Sequence, residues 1–316
     1  MGFADEVLFG RVAPPPNVWY NAPRGTSLRE GALIVDAHVH VHRPEVAACR
    51  DEYCARDDYF RRLYAAPKAR LATAEQVIQA MDEDGVDVAV VCGFAWRDMG
   101  ICRDDNDYVM EAVARYPRRL VGLAVLNPCA ADEAVYEMER CAKGGLRGLG
   151  ELMPDGQGYT LSDVEAMRPI MEAAQRLGWV VMTHSNEQLG HDYPGKGKTG
   201  PEVVVRFAQA FPDARIVCAH WGGGLLFYEL MPEVRESLRN VFYDTAASPY
   251  LYDDRIYRVA AEVAPDKILF GTDYPLLRAR AYLRRIRAAN LAPDAAQALL
   301  GGNAARVFGI GEGYGR

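Results

Sequence analysis

Short apolar segments alternate with longer amphipathic segments along most of this chain. Most of the short segments are apolar at consecutive positions, which is typical of strands that are buried on both faces. Eight such segments predict eight strands, at 33–41, 86–95, 120–127, 146–153, 179–186, 214–221, 241–248 and 267–274. The sequence therefore predicts eight strands separated by stretches with a different periodicity.

The longer segments predict helices, because their apolar residues recur with helical spacing and they are bounded by capping residues, Gly or Pro. The predicted helices are 73–84, 104–116, 132–143, 163–177, 200–211, 225–240, 254–263, 277–290 and 294–308. Eight strand–helix units favour an α/β fold of the (β/α)8 TIM-barrel class, in a single domain over 32–316. The alternative is an open, doubly wound sheet. That fold requires a Gly-rich turn after the first strand, and here the turn is rich in His.

Two segments do not follow this alternation. Residues 1–31 contain several Pro and Asn and predict an N-terminal arm, which could pack on its own barrel or clasp a second copy in a homo-oligomer. Residues 43–70 form a long insertion after the first strand, rich in Arg, Asp and Tyr. Barrels carry substrate contacts on the loops that follow their strands, so we expect a lid-like role for this insertion.

Composition and charge exclude several classes of protein. The 316 residues carry 36 Lys and Arg against 43 Asp and Glu, a net charge of −7, which argues against a nucleic-acid partner. No apolar run approaches the ~18 residues of a membrane span. The N-terminus has acidic residues where a signal peptide would be basic, and the seven cysteines lack a CxxC pair. We therefore expect a cytoplasmic protein that acts on a small molecule.

Chemistry-bearing side chains cluster where the predicted strands end. His38 and His40 end the first strand and, being two residues apart, point to the same side of it. The other residues at strand ends are Glu151 on the fourth strand, His184 on the fifth, His220 on the sixth and Asp273 on the eighth. In a barrel, parallel strands bring such residues to one mouth.

Imidazole nitrogens and carboxylate oxygens are the usual ligands of catalytic Zn²⁺ and related divalent ions. A single His at a strand end is more often a satisfied structural residue. The joint pattern is poorly explained in that way, because burying several unpaired ionisable groups together is costly. His42 is expected either in a loop or behind a ligand. His191 is expected in a mobile loop, with a substrate contact as the alternative. Three glycines after His220 indicate a tight turn.

With these residues, the chain resembles the amidohydrolase superfamily, in particular the amidohydrolase-related branch that includes the aminocarboxymuconate semialdehyde decarboxylases. The similar segments are Asp36–His40 (DAHVH), Thr183–His184, Ala219–Gly223 (AHWGG), Gly271–Pro275 (GTDYP) and Gly302–Arg306 (GNAAR). In order and spacing they cover residues 33–310, most of the chain.

The resemblance implies a metal held by His38, His40, His184 and Asp273. His220 would be a ligand of a second metal or a group that donates and accepts protons. Asp36 would support a ligand imidazole or hold the turn of the strand. Gly150–Glu151 resembles the bridging position of two-metal members and of TatD-like hydrolases, whereas the branch generally has one metal. The expected cofactor is therefore one or two divalent ions, with Zn²⁺ as the expected metal.

The first functional hypothesis is hydrolysis, in which a metal-activated water attacks an amide, ester or lactone bond of a small molecule. Asp273 would be the general base, and His220 would polarise the carbonyl or stabilise the oxyanion. The presence of Glu151 and the lack of any redox-cofactor motif favour this hypothesis.

The alternative is non-oxidative decarboxylation of a small aromatic or unsaturated carboxylic acid, which the resemblance to the decarboxylase branch suggests. Arg43, Arg50 and Arg147 would then be candidates to bind the substrate carboxylate, although a single arginine is more often a surface or ion-pair residue. Trp221, next to His220, is a further candidate for substrate contact. A purely structural metal site is disfavoured, because such sites are closed by four ligands without a spare base.

Overall fold

The computed structural model describes residues 33–315, so the predicted N-terminal arm lies outside the described residues. The strands are β1 (Val35–His40), β2 (Val88–Cys92), β3 (Leu120–Gly122), β4 (Gly148–Leu152), β5 (Val180–Thr183), β6 (Arg215–Cys218), β7 (Val241–Asp244) and β8 (Ile268–Leu269). Each lies inside one of the eight predicted segments. The eight-strand prediction is therefore confirmed, with shorter strands than the apolar runs suggested.

The strands close into a barrel. Parallel pairing runs from β1 to β3 and again from β4 to β8. Two parallel bridges join these sets, one between Ala124 and Leu149 and the other between Val39 and Tyr274. Because every strand has two neighbours and one direction, the carboxyl ends of all eight reach the same mouth. The (β/α)8 barrel is confirmed, and an open doubly wound sheet is excluded.

The helices surround the strands. They are α1 (Pro44–Ala48), α2 (Arg50–Arg56), α3 (Asp58–Tyr64), α4 (Ala74–Asp84), α5 (Met99–Arg115), α6 (Asp132–Lys143), α7 (Pro154–Gln157), α8 (Val164–Leu177), α9 (Pro201–Ala210), α10 (Pro232–Ser237), α11 (Ser248–Leu251), α12 (Ile256–Val263), α13 (Ala279–Ala288), α14 (Pro293–Gln297) and α15 (Asn303–Phe308). No helix within residues 33–315 is long and apolar enough to cross a membrane.

One predicted helix, 225–240, is wrong as a single element. The chain instead makes a left-handed turn over residues 220–224, continues in 3-10 geometry as far as Leu230 and then begins α10. The break has a local cause, because Pro232 lacks the backbone N–H that a continuing helix requires and can only begin a new one.

The insertion after β1 contains α1, α2 and α3, for which the sequence pattern made no prediction. Asp57 caps α3 by accepting hydrogen bonds from the backbone N–H groups of Tyr59 and Phe60, both at 2.9 Å. Phe60 is fully buried, and its ring centroid lies 4.5 Å from that of Trp96. Capping and aromatic packing therefore fix α3 against the segment that follows β2.

The tight turn expected after His220 is present. Five consecutive residues, His220 to Gly224, have positive φ angles between 56° and 90°. A Cβ atom on Gly223 would lie 2.2 Å from the carbonyl oxygen of Asn186, in the segment after β5. The glycine thus allows this turn to pack directly beneath that segment, which places His220 at the barrel mouth.

We predict that Gly223→Ala destabilises the protein far more than Gly178→Ala. Both positions have positive φ, at 61° and 67°, but a Cβ on Gly178 would meet nothing within 4 Å. Gly178→Ala, the control, should lower the free energy of unfolding by about 1–2 kcal/mol, because alanine is strained in the left-handed backbone conformation. Gly223→Ala should cost ~3 kcal/mol or more, because a backbone segment must also move. Urea unfolding measures both, and equal losses would contradict the close approach.

Candidate metal centre

Six ionisable side chains converge at the barrel mouth. They are His38 and His40 on β1, Glu151 on β4, His184 directly after β5, His220 after β6, and Asp273 after β8. Five are buried, and the side chain of Asp273 is 19% exposed. The structure thus brings together all six residues that the sequence proposed as ligands.

The first group consists of His38, His40 and Asp273. The Nε2 atoms of the two histidines lie 3.2 Å apart. Asp273 Oδ1 lies 3.4 Å from Nε2 of His40 and 3.9 Å from Nε2 of His38. Ligand atoms bound about 2.0–2.2 Å from one ion lie roughly 3–3.5 Å from each other. The spacing of this group therefore suits ligands of a single ion.

The second group consists of Glu151, His184 and His220. Glu151 Oε1 lies 3.2 Å from His184 Nδ1 and 3.8 Å from His220 Nε2. Its other oxygen, Oε2, lies 3.5 Å from Nε2 of both His38 and His40. Glu151 therefore stands between the two groups and offers one oxygen to each.

Each of the four imidazoles uses its remaining nitrogen to hydrogen bond a protein oxygen. The pairs are His38 Nδ1 with Asp244 Oδ2 (2.7 Å), His40 Nδ1 with Gly93 O (3.3 Å), His184 Nε2 with Gly195 O (3.0 Å) and His220 Nδ1 with Ala246 O (3.2 Å). Carbonyl and carboxylate oxygens only accept, so these nitrogens carry the proton.

In neutral imidazoles, the nitrogens that face the centre are then lone-pair acceptors. Four such nitrogens and two carboxylates point at one another without a donor among them. Bound positive charge satisfies such an arrangement, and the nitrogen and oxygen donors match those of Zn²⁺ and related divalent ions. The residues present therefore fit a divalent cation.

The electrostatics of the centre are correspondingly strong. Burial alone would raise the pKa of the Glu151 carboxyl, but the facing imidazoles, His38 foremost, hold this pKa well below its ordinary value. Burial alone would lower the pKa of His38, but the carboxylates of Asp244 and Glu151 raise it well above the usual range. Without a cation, imidazoles that take up protons supply the positive charge that stabilises the Glu151 carboxylate, and a bound cation would supply the same stabilisation while leaving the imidazoles neutral.

Of the two roles expected for Asp36, the structure shows the structural one. Its carboxylate accepts hydrogen bonds from Oγ1 and backbone N–H of Thr272, at 2.6 and 3.0 Å, and from the backbone N–H of His38 at 3.3 Å. Burial raises the pKa of Asp36 to about 7. Asp36 therefore ties β1 to the segment after β8 and accepts no hydrogen bond from an imidazole ring.

A cavity of about 260 Å³ opens above these side chains. Its floor is formed by His40, Glu151, His184, His220 and Asp273. The rest of its lining is mainly aromatic and aliphatic, with two cations, and consists of Tyr59, Leu63, Tyr64, Lys68, Ala69, Arg70, Met153, Tyr193, Pro194, Gly195, Ala247, Tyr250, Leu251, Pro275 and Leu276. The insertion thus contributes one wall and both cations.

The structure does not bring the predicted substrate contacts to this cavity. Arg43 Nε donates to the buried carboxylate of Asp105 at 2.8 Å. Arg147 immediately precedes β4 and so lies at the opposite end of the barrel. Trp221 is fully buried, and its Nε1 donates to Ser248 Oγ at 2.6 Å. These three expectations are corrected. Arg43 forms an ion pair, Arg147 lies at the opposite end of the barrel, and Trp221 packs beside β6.

His42 and His191 lie outside the centre. The His42 ring is buried beside Phe60 and Tyr64, and neither of its nitrogens has a hydrogen-bond partner within the described chain. Burial lowers the pKa of His42 to about 3, so the ring is neutral and packs the insertion onto β1. His191 lies in the loop after β5, with its ring centroid 5.9 Å from that of Tyr193.

Sequence reasoning missed several residues that shape the site. Asp244 ends β7, so the strand-end rule that identified Glu151 and Asp273 would have found it as well. Lys68 and Arg70 lie in the insertion, where no periodic pattern indicates which side chains face inward. Tyr59 belongs to the same segment.

Comparisons with known proteins identify the family of this chain and several similar proteins. A sequence model of the family described as Amidohydrolase matches residues 35–310. Among curated proteins, the chain is 23% identical over 280 residues to 2-amino-3-carboxymuconate-6-semialdehyde decarboxylase of Dictyostelium discoideum, covering 74% of this chain and 76% of that protein.

Two solved structures share the fold. The 5-carboxyvanillate decarboxylase LigW of Sphingomonas paucimobilis is similar with a TM-score of 0.74 and 22% identity, over 89% of this chain and 100% of that one. The second is the 5-carboxyvanillate decarboxylase of Novosphingobium aromaticivorans, solved with manganese and 3-methoxy-4-hydroxy-5-nitrobenzoic acid. Its TM-score is 0.73 at 18% identity, over 90% of this chain and 99% of that one. These matches confirm the predicted resemblance.

We predict that Asp244→Asn weakens divalent-metal binding about 10–100-fold. Asp244 Oδ1 accepts from the backbone N–H of His220, at 2.9 Å, so an asparagine that keeps this bond turns its amide N–H₂ toward His38. His38 would then move its proton to Nε2, the nitrogen that faces the centre. Competition with a chromophoric chelator measures the affinity.

The matched control is Glu137→Gln, the same carboxylate-to-amide change at a buried side chain on α6, which accepts hydrogen bonds from Arg140 and Asn106 and contacts none of the six centre residues. Its metal affinity should stay within about threefold of wild type. Equal weakening in both variants would show that Asp244 does not act through the imidazole of His38.

Proposed function

Because this chain belongs to the amidohydrolase family, we propose that it is a metal-dependent decarboxylase of a small aromatic or unsaturated carboxylic acid. The primary expectation from sequence was hydrolysis, and the comparisons favour the decarboxylase alternative, since the similar proteins named above are decarboxylases. The structural observation that carries the proposal is the cavity, whose lining combines imidazoles and carboxylates, aromatic side chains and two cationic side chains.

We propose that His38, His40 and Asp273, with Glu151 beside them, hold at least one divalent cation. His184 and His220, on the other side of Glu151, offer ligands for a second. Zn²⁺ follows from the ligand types, and manganese, present in a similar structure, is the other candidate. When bound, the cation supplies positive charge that attracts substrate oxygens and stabilises negative charge that develops during the reaction.

The charges of the cavity favour an acidic substrate. Without a cation, the carboxylates of Glu151 and Asp273 on the floor would repel a substrate carboxylate. Lys68 and Arg70 lie among the other lining residues and attract an acid into the cavity, while Tyr and Leu side chains pack against its apolar part. The net charge of −7 is therefore compatible with an anionic substrate, because the local charge of the mouth differs from that of the whole chain.

Decarboxylation breaks the bond between the carboxyl carbon and its neighbouring carbon, and the electron pair stays on that neighbour. Carbon dioxide leaves, and a proton from an acid takes its place. We propose that Asp273 and His220 hold and move this proton, because both line the cavity floor. The tyrosine and leucine walls limit access of bulk water to the carbon that must be protonated.

The test is a substrate panel with purified, metal-loaded protein. It contains 5-carboxyvanillate and 2,6-dihydroxybenzoate, the acids named for similar structures, together with esters and lactones of comparable size. We expect release of carbon dioxide from at least one acid and no ester or lactone hydrolysis. Asp273→Asn should lower kcat about 100-fold or more. Hydrolysis of an ester or lactone without carbon dioxide release would return the protein to the hydrolase hypothesis.

We predict that Arg70→Met raises KM for the acid substrate about tenfold with little change in kcat, because it removes a charge at the cavity without touching its floor. The control is Arg284→Met. Arg284 lies on α13 and lines the neighbouring groove together with Arg70, but it does not line the cavity. Its KM should remain within about twofold of wild type. The same KM increase in both variants would indicate a general surface-charge effect.

A further inference from the structure

The loop between β5 and α9, residues 184–200, contributes one carbonyl group that joins the centre to the insertion. Gly195 O accepts a hydrogen bond from Nε2 of His184 at 3.0 Å. The same oxygen accepts a second hydrogen bond from the hydroxyl of Tyr59, on α3, at 3.2 Å. One backbone oxygen therefore connects a proposed metal ligand with the first-loop insertion.

The position of this carbonyl decides which nitrogen of His184 is available. With Nε2 as the donor to Gly195, Nδ1 carries the lone pair that faces Glu151, 3.2 Å away. If the carbonyl moved away, Nε2 would lose its acceptor. The other tautomer, protonated at Nδ1, would then donate to Glu151 and have no lone pair for a cation on that side.

His184 differs from the other three imidazoles in what fixes it. Asp244 ends β7, Gly93 directly follows β2, and Ala246 lies two residues after β7. These acceptors are held at the strand ends of the barrel. Gly195, by contrast, lies eleven residues beyond His184 in a loop without a strand or helix of its own. The acceptor of His184 therefore needs support from elsewhere in the molecule.

Tyr59 is well placed to give that support. Tyr59 is only 8% exposed to solvent. Its ring packs so closely on Gly156 that a Cβ atom added to this glycine would lie 2.5 Å from the ring. The hydroxyl is thus held by a ring with little freedom to move. Arg62, one turn further along α3, donates to the carbonyl of the next loop residue, Lys196, at 3.2 Å. Two side chains of α3 therefore hold adjacent carbonyls of this loop.

We propose that Tyr59 is a positioning residue of the metal centre. Its hydroxyl holds the Gly195 carbonyl against His184, which keeps the proton on Nε2 and leaves Nδ1 free for the cation. The insertion is thereby coupled to metal binding as well as forming a cavity wall. This inference rests on the proposed metal-dependent function.

The test is Tyr59→Phe, which keeps the packed ring and removes only the hydroxyl. Long-range ¹H–¹⁵N spectra of histidine-labelled, metal-free protein, recorded over a pH series that extends to where the imidazoles are neutral, report the tautomer of each imidazole. We expect the His184 signal to shift from the Nε2–H tautomer toward a mixture in the variant, while the other five histidines keep their wild-type signals. Chelator competition should show Mn²⁺ or Zn²⁺ affinity weakened about tenfold.

The matched control is Tyr193→Phe, in the same loop and also lining the cavity. Its hydroxyl donates to Glu187 Oε2 at 2.8 Å, so this change leaves the Gly195 carbonyl untouched. Its His184 tautomer and metal affinity should match wild type. If Tyr59→Phe also matches wild type in both readouts while wild type binds metal, the positioning role is refuted and the proposed function stands. If wild type binds no divalent metal, the proposed function itself fails.

Discussion

The structure depends on one electrostatic constraint: four imidazole nitrogens and two carboxylates point at one another at the mouth of the barrel. Side chains of this kind are costly to bury together unless positive charge lies among them. The protein meets this constraint from behind, since each of these four imidazoles donates its outer N–H either to the Asp244 carboxylate or to a backbone carbonyl. The inner lone pairs are thereby aimed at one place before any ligand arrives, which is the preorganisation that a metal site requires.

The floor and the wall of the cavity are held in place by different parts of the fold. The floor is held by strand ends and by buried contacts such as that of Asp36 with Thr272, so its geometry is set by the barrel. One wall and both cations come from the insertion, and the loop after β5 supplies Gly195. Under the proposed function, the residues on the strand ends would carry the chemistry and the loops would select the substrate, as is general in barrels. The hydroxyl of Tyr59 is where the two parts meet.

The fold and the ligand set could be predicted because both follow from periodicity. Consecutive apolar positions mark buried parallel strands, and the residues that end them must converge, which places His38 next to Glu151 although 113 positions separate them. The same rule, applied in full, excludes Arg147, which begins a strand, and includes Asp244, which ends one. Lys68 and Arg70 could not be predicted, because loop residues carry no periodic signal, and Tyr59 lies on α3, whose seven residues are too few for a clear one. The residues alone could not decide between the two hypotheses, hydrolysis and decarboxylation, since Asp273 and His220 could move protons in either reaction.

Anomalous X-ray diffraction from crystals of the Mn²⁺- or Zn²⁺-loaded protein, measured at the absorption edge of the ion, tests the central claim most directly. The account predicts a peak about 2.0–2.3 Å from Nε2 of His38, Nε2 of His40 and a carboxylate oxygen of Asp273. Asp244 and Gly93 should still accept the outer N–H groups of the two imidazoles. A structure with no anomalous peak among these side chains, or with the imidazoles turned to hydrogen bond one another, would contradict it.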